Sequence, residues 1–458
     1  MNEAERHARH DHLVEADRRH LWHPFTQMQA WTAEDPVIID SAEGVYLVDT
    51  LGNRYLDGVS SLWCNVHGHR VPEIDAAVRA QLDRVAHTTL LGLASTASIE
   101  CAEELLRWTP PGLTRVFFSD SGATAVEIAL KMAFQHHALR GDDGRREFVA
   151  LRGGYHGDTI GSVSLGGIDL FHRIFRPLLF EVHHAPQPHC YRCPLGKTFP
   201  DCAMACADEV ERAFEARPGR IAALVIEPVM QGADGMIAQP PGYLRRMREI
   251  CDRHGALLVC DEVATGFGRT GTMFAVEQEG VRPDLLAVAK GITGGYLPLA
   301  ATLTTEEVYR SFLGPIESQR TFFHGHTYTG NPLACAAATA SMRLFRDRQV
   351  LEGLSAKVEV LRRALEPARK MAHVGDVRQR GLMVGIELVR DRATREEFPH
   401  GLRAGHRVIL EARGMGAILR PLGNVVVLMP PLAMSEGELQ QLAGITLACI
   451  EKVAATLA

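Results

Sequence analysis

The spacing of apolar positions separates the chain into stretches of different character. From Met1 to Arg19 charges and histidines are mixed without a sustained apolar stripe, which predicts a mobile end or a surface helix, with the fold beginning near Trp22. The stretch IIDSAEGVYLVDTLGNRYLDG, ending at Gly58, alternates short β-type runs with Gly and Asp turns and predicts antiparallel strands joined by tight loops. Between about Pro72 and Arg343 short apolar runs alternate with longer amphipathic segments: RVFFSD precedes TAVEIALKMAFQHH, and EFVALR, IAALVIEP, ALLVCDEV and PDLLAVAK follow with helical stretches between several of them. Such alternation predicts a mostly parallel sheet covered on both faces, an α/β architecture. After Asp347 the helical run GLSAKVEVLRRALEPARKM leads into MVGIELVR and NVVVLMPPL, the mixture of a separate, small α+β lobe. The expected division is an N-terminal segment belonging to the small domain (1–75), a large domain (76–344) and a C-terminal small domain (345–458), with no internal repeat.

Composition narrows the function classes. With 458 residues, 46% of them apolar and 23% charged, the chain can bury a large core in more than one lobe. A formal net charge of −6 leaves no basic surplus for a phosphate backbone, so small molecules rather than nucleic acid are the expected partners. No stretch approaches the roughly 20 apolar residues of a membrane helix, and the first residues are not signal-like, so cytoplasmic residence is expected. The ten cysteines then read as reduced thiols. Four of them, Cys190, Cys193, Cys202 and Cys206, follow a C-x2-C-x8-C-x3-C spacing. They have the chemistry to hold zinc or an iron–sulfur cluster, but the gap of eight is shorter than usual zinc-ribbon spacing, and free thiols in a surface insertion are the expectation.

Chemistry gathers where apolar runs end. Lys290 closes PDLLAVAK just before GITGG, and a lysine desolvated there has the lowered pKa of a Schiff-base amine, although alone it would pass for a solvated boundary residue. Asp261 ends ALLVC, where an unpaired carboxylate is costly; a pyridinium nitrogen would be a suitable cation, and an N-cap or turn role is the plainer alternative. In FFSDSGATAVEIALK a strand gives way to Ser-Gly-Ala and a helix, so free amides near Gly122 face an anion, although the same junction occurs in plain α/β packing. Tyr155, in the Gly-flanked RGGYHGDT, is free to lay its ring on a flat cofactor or to be a surface turn residue. FFHGHTYTGNPLA sets Thr327 before a helix starting near Pro332, a second phosphate contact; His324 and His326 fit a structural role equally well.

DEVATGFGRTG followed by AKGITGG, with Asp261 and Lys290 29 positions apart, resembles the signature of the class III pyridoxal-phosphate aminotransferases. The order Gly-Ala loop, Tyr-His-Gly, Asp, Lys, Gly-X-Thr matches that family from about His20 to the C-terminus. The resemblance implies a fold-type I transferase with pyridoxal 5′-phosphate as cofactor and a homodimer with shared active sites. Within the family, HLWHPFTQM, SSLWCNVHGH, GGYHGDT, FFHGHTYTGNPLACAAA and LRPLGNVVVLMPP resemble the biotin-pathway branch, which aminates 8-amino-7-oxononanoate. That match implies Trp63 beside the substrate, Gly122 and Ala123 on the phosphate, and Tyr155 near cofactor and substrate. It also implies Asp261 on the pyridine nitrogen, Lys290 as the Schiff-base lysine, and Gly325 at the substrate. His326 and Thr327 would bind the phosphate of the partner subunit's cofactor, and Arg420 the substrate carboxylate, which a guanidinium grips at two points. Phe25 and Val427 depart from the members that take their amino group from S-adenosyl-L-methionine, where tyrosines are usual, and HPFTQM and HGHTYTGN are closer to a lysine-using branch; the resemblance still implies adenosylmethionine as donor, with lysine as the alternative. Rival readings are a class III enzyme for ω-amino acids or diamines, against which Trp63 and HGHTYTGN argue; a Rossmann nucleotide binder, for which no G-x-G-x-x-G opens the first helix; and a cofactor-binding regulator, for which no DNA-binding module is visible.

Overall fold

The computed structural model describes residues 2–457. The N-terminal stretch is a surface helix, Glu3–His20, with no buried residue. Lacking an apolar stripe, it is held by polar means: Asn2 and Glu5 form a reciprocal cap, Arg9 pairs with Asp40 at 2.6 Å, and the Trp31 indole donates to Asp17 at 2.8 Å.

Seven strands make the central sheet, in the spatial order Leu113–Ser119, Ala300–Thr305, Leu285–Val288, Leu257–Asp261, Ile221–Ile226, Glu147–Leu151, His183–Ala185. Only Ala300–Thr305 runs against its neighbours; the other pairings are parallel. Burial on both faces explains why these strands read as continuous apolar runs: all six residues of Ile221–Ile226 are buried. On one face the Gly122–Leu139 helix packs Val126, Ile128 and Ala129 against Val225, Val259 and Ala287. On the other, the Tyr243–His254 helix packs Leu244, Met247 and Ile250 against the cluster holding Leu224, Leu258 and Leu286.

The predicted antiparallel strands are Ile39–Glu43, Tyr46–Asp49 and Arg54–Asp57. A fourth, Ala417–Ile418, joins them from far along the chain, parallel to Arg54–Asp57 with Ala417 opposite Leu56. A further antiparallel sheet is built from Val374–Arg380, Met383–Asp391, Val425–Leu428 and Arg420–Leu422. No helix among the described residues is long and apolar enough to cross a membrane.

Candidate active site

The carboxyl ends of the parallel strands open on one cavity of about 710 Å³, the usual place for a ligand in an open α/β sheet. Six of the residues singled out in the sequence line it: Trp63, Gly122, Ala123, Tyr155, Asp261 and Lys290.

Asp261 is the last residue of its strand, and Lys290 stands two residues beyond the end of the adjacent strand, so the sheet sets carboxylate and amine side by side. Lys290 takes a left-handed backbone conformation, φ +47°, which a residue with a side chain occupies at a cost. Its Nζ lies 5.4 Å from the centre of the Trp63 ring. Burial pushes the ammonium pKa down, against the opposing pull of Asp261 and Glu227.

Asp261 is anchored on both oxygens. Oδ1 accepts the Val263 N–H at 3.0 Å and Oδ2 accepts from His156 Nδ1 at 2.7 Å. Burial disfavours the imidazolium of His156, but the Asp261 carboxylate outweighs it and the pKa of His156 is raised. Glu227 is also buried here; burial is the main reason its carboxyl is pushed up to about 7. Its Oε1 accepts the Tyr155 N–H at 3.1 Å and its Oε2 the Gly232 N–H at 2.8 Å.

The Gly122–Leu139 helix begins at the cavity wall. Ser121 caps it by accepting the Thr124 N–H, leaving the amides of Gly122 and Ala123 free of intrahelical partners. Gly122 has no room for a side chain, since a Cβ would lie 2.6 Å from Val263 Cγ1. Gly157 faces the same helix start: its φ is +118° and a Cβ would lie 2.4 Å from that of Ala123. Such a cradle suits a phosphate group.

Tyr155 forms another wall. Its hydroxyl donates to Asp158 Oδ2 at 2.6 Å, and burial together with Asp158 raises its pKa. Phe25, exposed and itself left-handed at φ +51°, meets the Tyr155 ring edge-on with centroids 6.3 Å apart. Arg420 is half-buried outside the cavity lining, in the neighbourhood of Tyr155, and burial lowers its pKa.

Gly325, His326 and Thr327 are not brought to this cavity. Gly325 and Thr327 are exposed, and His326 reaches only its rim, with Nε2 3.8 Å from Asp120 Oδ1. Val427 does not line the cavity either, and it pairs across the sheet with Arg420. It is wholly buried with Val59, Trp63 and Met230, because its strand, Val425–Leu428, is covered on both faces.

His156 and Glu227 went unnoticed in the sequence. Glu227 carries the signal that pointed to Asp261, a carboxylate closing an apolar run, here IAALVIEP. His156 has no such mark beyond its place after Tyr155.

The four clustered cysteines line a separate, small cavity of about 20 Å³. Cys190 is exposed and the others half-buried, all as free thiols; among the described residues no group of three His, Cys, Asp or Glu is arranged to hold a metal ion.

Comparison with known proteins agrees with the geometry. Residues 28–450 match the family model of class-III aminotransferases. The adenosylmethionine-8-amino-7-oxononanoate aminotransferase of Nitratidesulfovibrio vulgaris is 60% identical over 432 residues, covering 94% of this chain and 80% of that protein. The crystal structure of the Methanocaldococcus jannaschii enzyme of the same name is similar with a TM-score of 0.92 at 43% identity, over 96% of this chain and 99% of that one. An amine transaminase from an uncultivated Pseudomonas species, in its PLP-bound form, is similar with a TM-score of 0.89 at 38% identity, over 96% and 99% of the two chains. The chain belongs to the class III aminotransferase family.

Proposed function

We propose that this protein is the biotin-pathway transaminase that converts 8-amino-7-oxononanoate to 7,8-diaminononanoate, with S-adenosyl-L-methionine as amino donor. The observation that carries the reading is the juxtaposition, in one cavity, of a lysine with a lowered pKa, an anchored carboxylate, a helix start left open by Gly122 and two aromatic walls. Identity of 45–60% to relatives named for this reaction supports the choice of substrates.

The residues fit pyridoxal phosphate. Gly122 and Ala123 would take its phosphate, Tyr155 one ring face, Asp261 its pyridine nitrogen, and Lys290 its carbonyl carbon. When bound, the cofactor accepts the electron pair left on a substrate carbon that loses a proton. Asp261, oriented by His156 and the Val263 amide, would keep the ring nitrogen protonated. Lys290 Nζ, whose burial favours the neutral amine, would take the proton from the substrate carbon and return it. Trp63 would shield that amine from water, and Arg420 would grip the substrate carboxylate. In balance, the donor's amino group moves to the keto carbon of the acceptor and the keto oxygen ends on the donor.

Gly325, His326 and Thr327 would serve the cavity of a second copy in a homodimer, His326 and Thr327 at the phosphate and Gly325 at the substrate; their distance from their own cavity supports this. The sheet shared by Arg54–Asp57 and Ala417–Ile418 supports a small domain made of residues 1–75 and 345–458 flanking a large domain, 76–344. Cytoplasmic residence goes with this reading.

One observation favours a second donor. Phe25 presents an apolar edge at Tyr155 where a hydroxyl would help hold a polar nucleoside, which favours lysine. The test is a half-reaction: the protein loaded with pyridoxal phosphate is mixed with each donor separately, and loss of the cofactor's visible absorption band is followed before the keto substrate is added. Adenosylmethionine is expected to discharge the band and 8-amino-7-oxononanoate to restore it. Discharge by lysine alone selects the second donor, and discharge by neither rejects the reading.

A further inference from the structure

Glu227 has no part in the roles assigned above, yet it is 5% exposed and lies against the cavity. It directly follows the strand Ile221–Ile226, so its backbone is fixed by the central sheet. The backbone is braced again by Gln239, whose Nε2 donates to the Glu227 carbonyl at 2.7 Å and whose Oε1 accepts the Val229 N–H at 2.9 Å.

The two carboxylate oxygens go separate ways. Oε1 takes the backbone N–H of Tyr155, the residue that forms one aromatic wall. Oε2 takes the backbone N–H of Gly232. Gly232 in turn sits flat against the other wall, since a Cβ there would lie 3.2 Å from Trp63 Cζ3. Trp63 is the ring over which Lys290 Nζ stands at 5.4 Å. A continuous line of contact thus runs from Tyr155 through Glu227 and Gly232 to Trp63 and Lys290.

Only an acceptor-only group, the ionised carboxylate that prevails above about pH 7, can end both N–H bonds in this arrangement. A glutamine has one carbonyl oxygen and one NH2, so one of the two amides would face a donor. A buried N–H left in that state is costly, and relief comes by moving the loop that carries it.

We propose that Glu227 is a positioning residue for the active site, setting the separation between the Tyr155 wall and the Trp63 wall from a single buried carboxylate. The inference rests on the assignment of Tyr155 to the cofactor face and of Trp63 to the substrate, and it concerns the width of the slot between them. Width matters because a flat cofactor held between misplaced walls loses both affinity and alignment, and misalignment of about 1 Å costs rate steeply.

The test is Glu227→Gln, read first by amide hydrogen exchange. At least one of the amides of Tyr155 and Gly232 is expected to exchange at least about tenfold faster, the size of effect that follows from losing one charge-assisted hydrogen bond, while those of Ile221–Ile226 stay as in the native protein. The same variant should bind pyridoxal phosphate about tenfold more weakly and raise KM for the keto substrate by more than it lowers kcat. Gly232→Ala presses on Trp63 while leaving the carboxylate in place, so it should reproduce the rise in KM with unchanged exchange at Tyr155. If Glu227→Gln does not fold, Glu227→Asp, which keeps the charge but shortens the reach, should show both effects in weaker form. Unchanged exchange at both amides overturns the proposal, and so does faster exchange with native cofactor affinity and native KM. Exchange and cofactor affinity need no turnover, so a native protein that fails to transaminate rejects the functional reading without deciding this one.

Discussion

His156 Nδ1 and Asp261 Oδ2 lie 2.7 Å apart, in a place from which solvent is almost excluded, and the carboxylate raises the pKa of the ring. The ring donates toward the carboxylate, so Asp261 meets the cavity already oriented by a second bond from Val263. That orientation is what a pyridinium partner requires.

Replacing Asp261 by Asn removes the carboxylate that raises the pKa of His156 and that is proposed to pair with the ring nitrogen. Asp261→Asn is expected to hold pyridoxal phosphate weakly and to lose several orders of magnitude in kcat. His156→Asn, which leaves the carboxylate in place with a weaker donor, should fall between this variant and the native protein. Single-turnover rates with the amino donor check the ranking; near-native turnover in Asp261→Asn would refute the role.

Lys290→Ala should still bind pyridoxal phosphate through the Gly122 cradle but form no covalent link to it. Borohydride treatment followed by mass spectrometry of the peptide around position 290 reads this out directly. A reduced adduct anywhere on the variant would falsify the assignment of the amine.

Arg420→Ala is expected to cost about 2 to 4 kcal/mol in kcat/KM for the keto acid, as a partly shielded charge pair does when one member is removed. Cofactor binding should be unaffected. The comparison that decides is the keto acid against its neutral amide: the native enzyme should prefer the acid strongly and the variant hardly at all.

The buried acids predict an unusual pH dependence of stability. Glu227 and Glu262 are each pushed by burial to about 7 from an ordinary 4.5. A carboxyl with a raised folded pKa binds its proton more tightly in the folded chain. Its contribution is therefore complete below about 4.5 and is lost as pH rises through 7. The loss is roughly 3 kcal/mol per group at the upper end of that window. Glu262→Gln, away from the cavity lining, should unfold in urea with a shallower fall in stability between those pH values than the native protein. Equal slopes would show that Glu262 ionises freely in the fold.

What was legible in the sequence follows one physical rule: a polar group that closes an apolar run is conspicuous. Asp261 and Lys290 stood out on that ground, and the parallel sheet stood out because strands covered on both faces cannot alternate. Glu227 obeys the same rule, closing IAALVI, but with no Gly-rich loop after it to set it apart. Val427 shows where the rule ends, since in VVVL every position is apolar and nothing in the letters tells which side chain turns toward the site. The N-terminal helix was equally undetermined, because ion pairs to Asp40 and a cap at Asn2 decide between helix and coil there, and such pairings have no periodicity. His326 and Thr327 lie beyond the reach of a single chain's geometry, since the cavity they are proposed to serve is another copy's.

The pairing of Ala417 with Leu56 also bears on how the protein is made. All seven strands of the central sheet are on the growing chain once Thr305 has left the ribosome, but the edge of Arg54–Asp57 that Ala417–Ile418 covers stays bare until more than a hundred further residues are added. Trp63 packs against Met383, Val425, Val427 and Met429 from the same late part of the chain, so the wall above Lys290 is completed only when they are made. A nascent chain halted before Ala417 would carry a finished sheet beside an open strand edge, a template for pairing with a stranger, which makes the final stretch of synthesis the interval in which this protein most needs a chaperone.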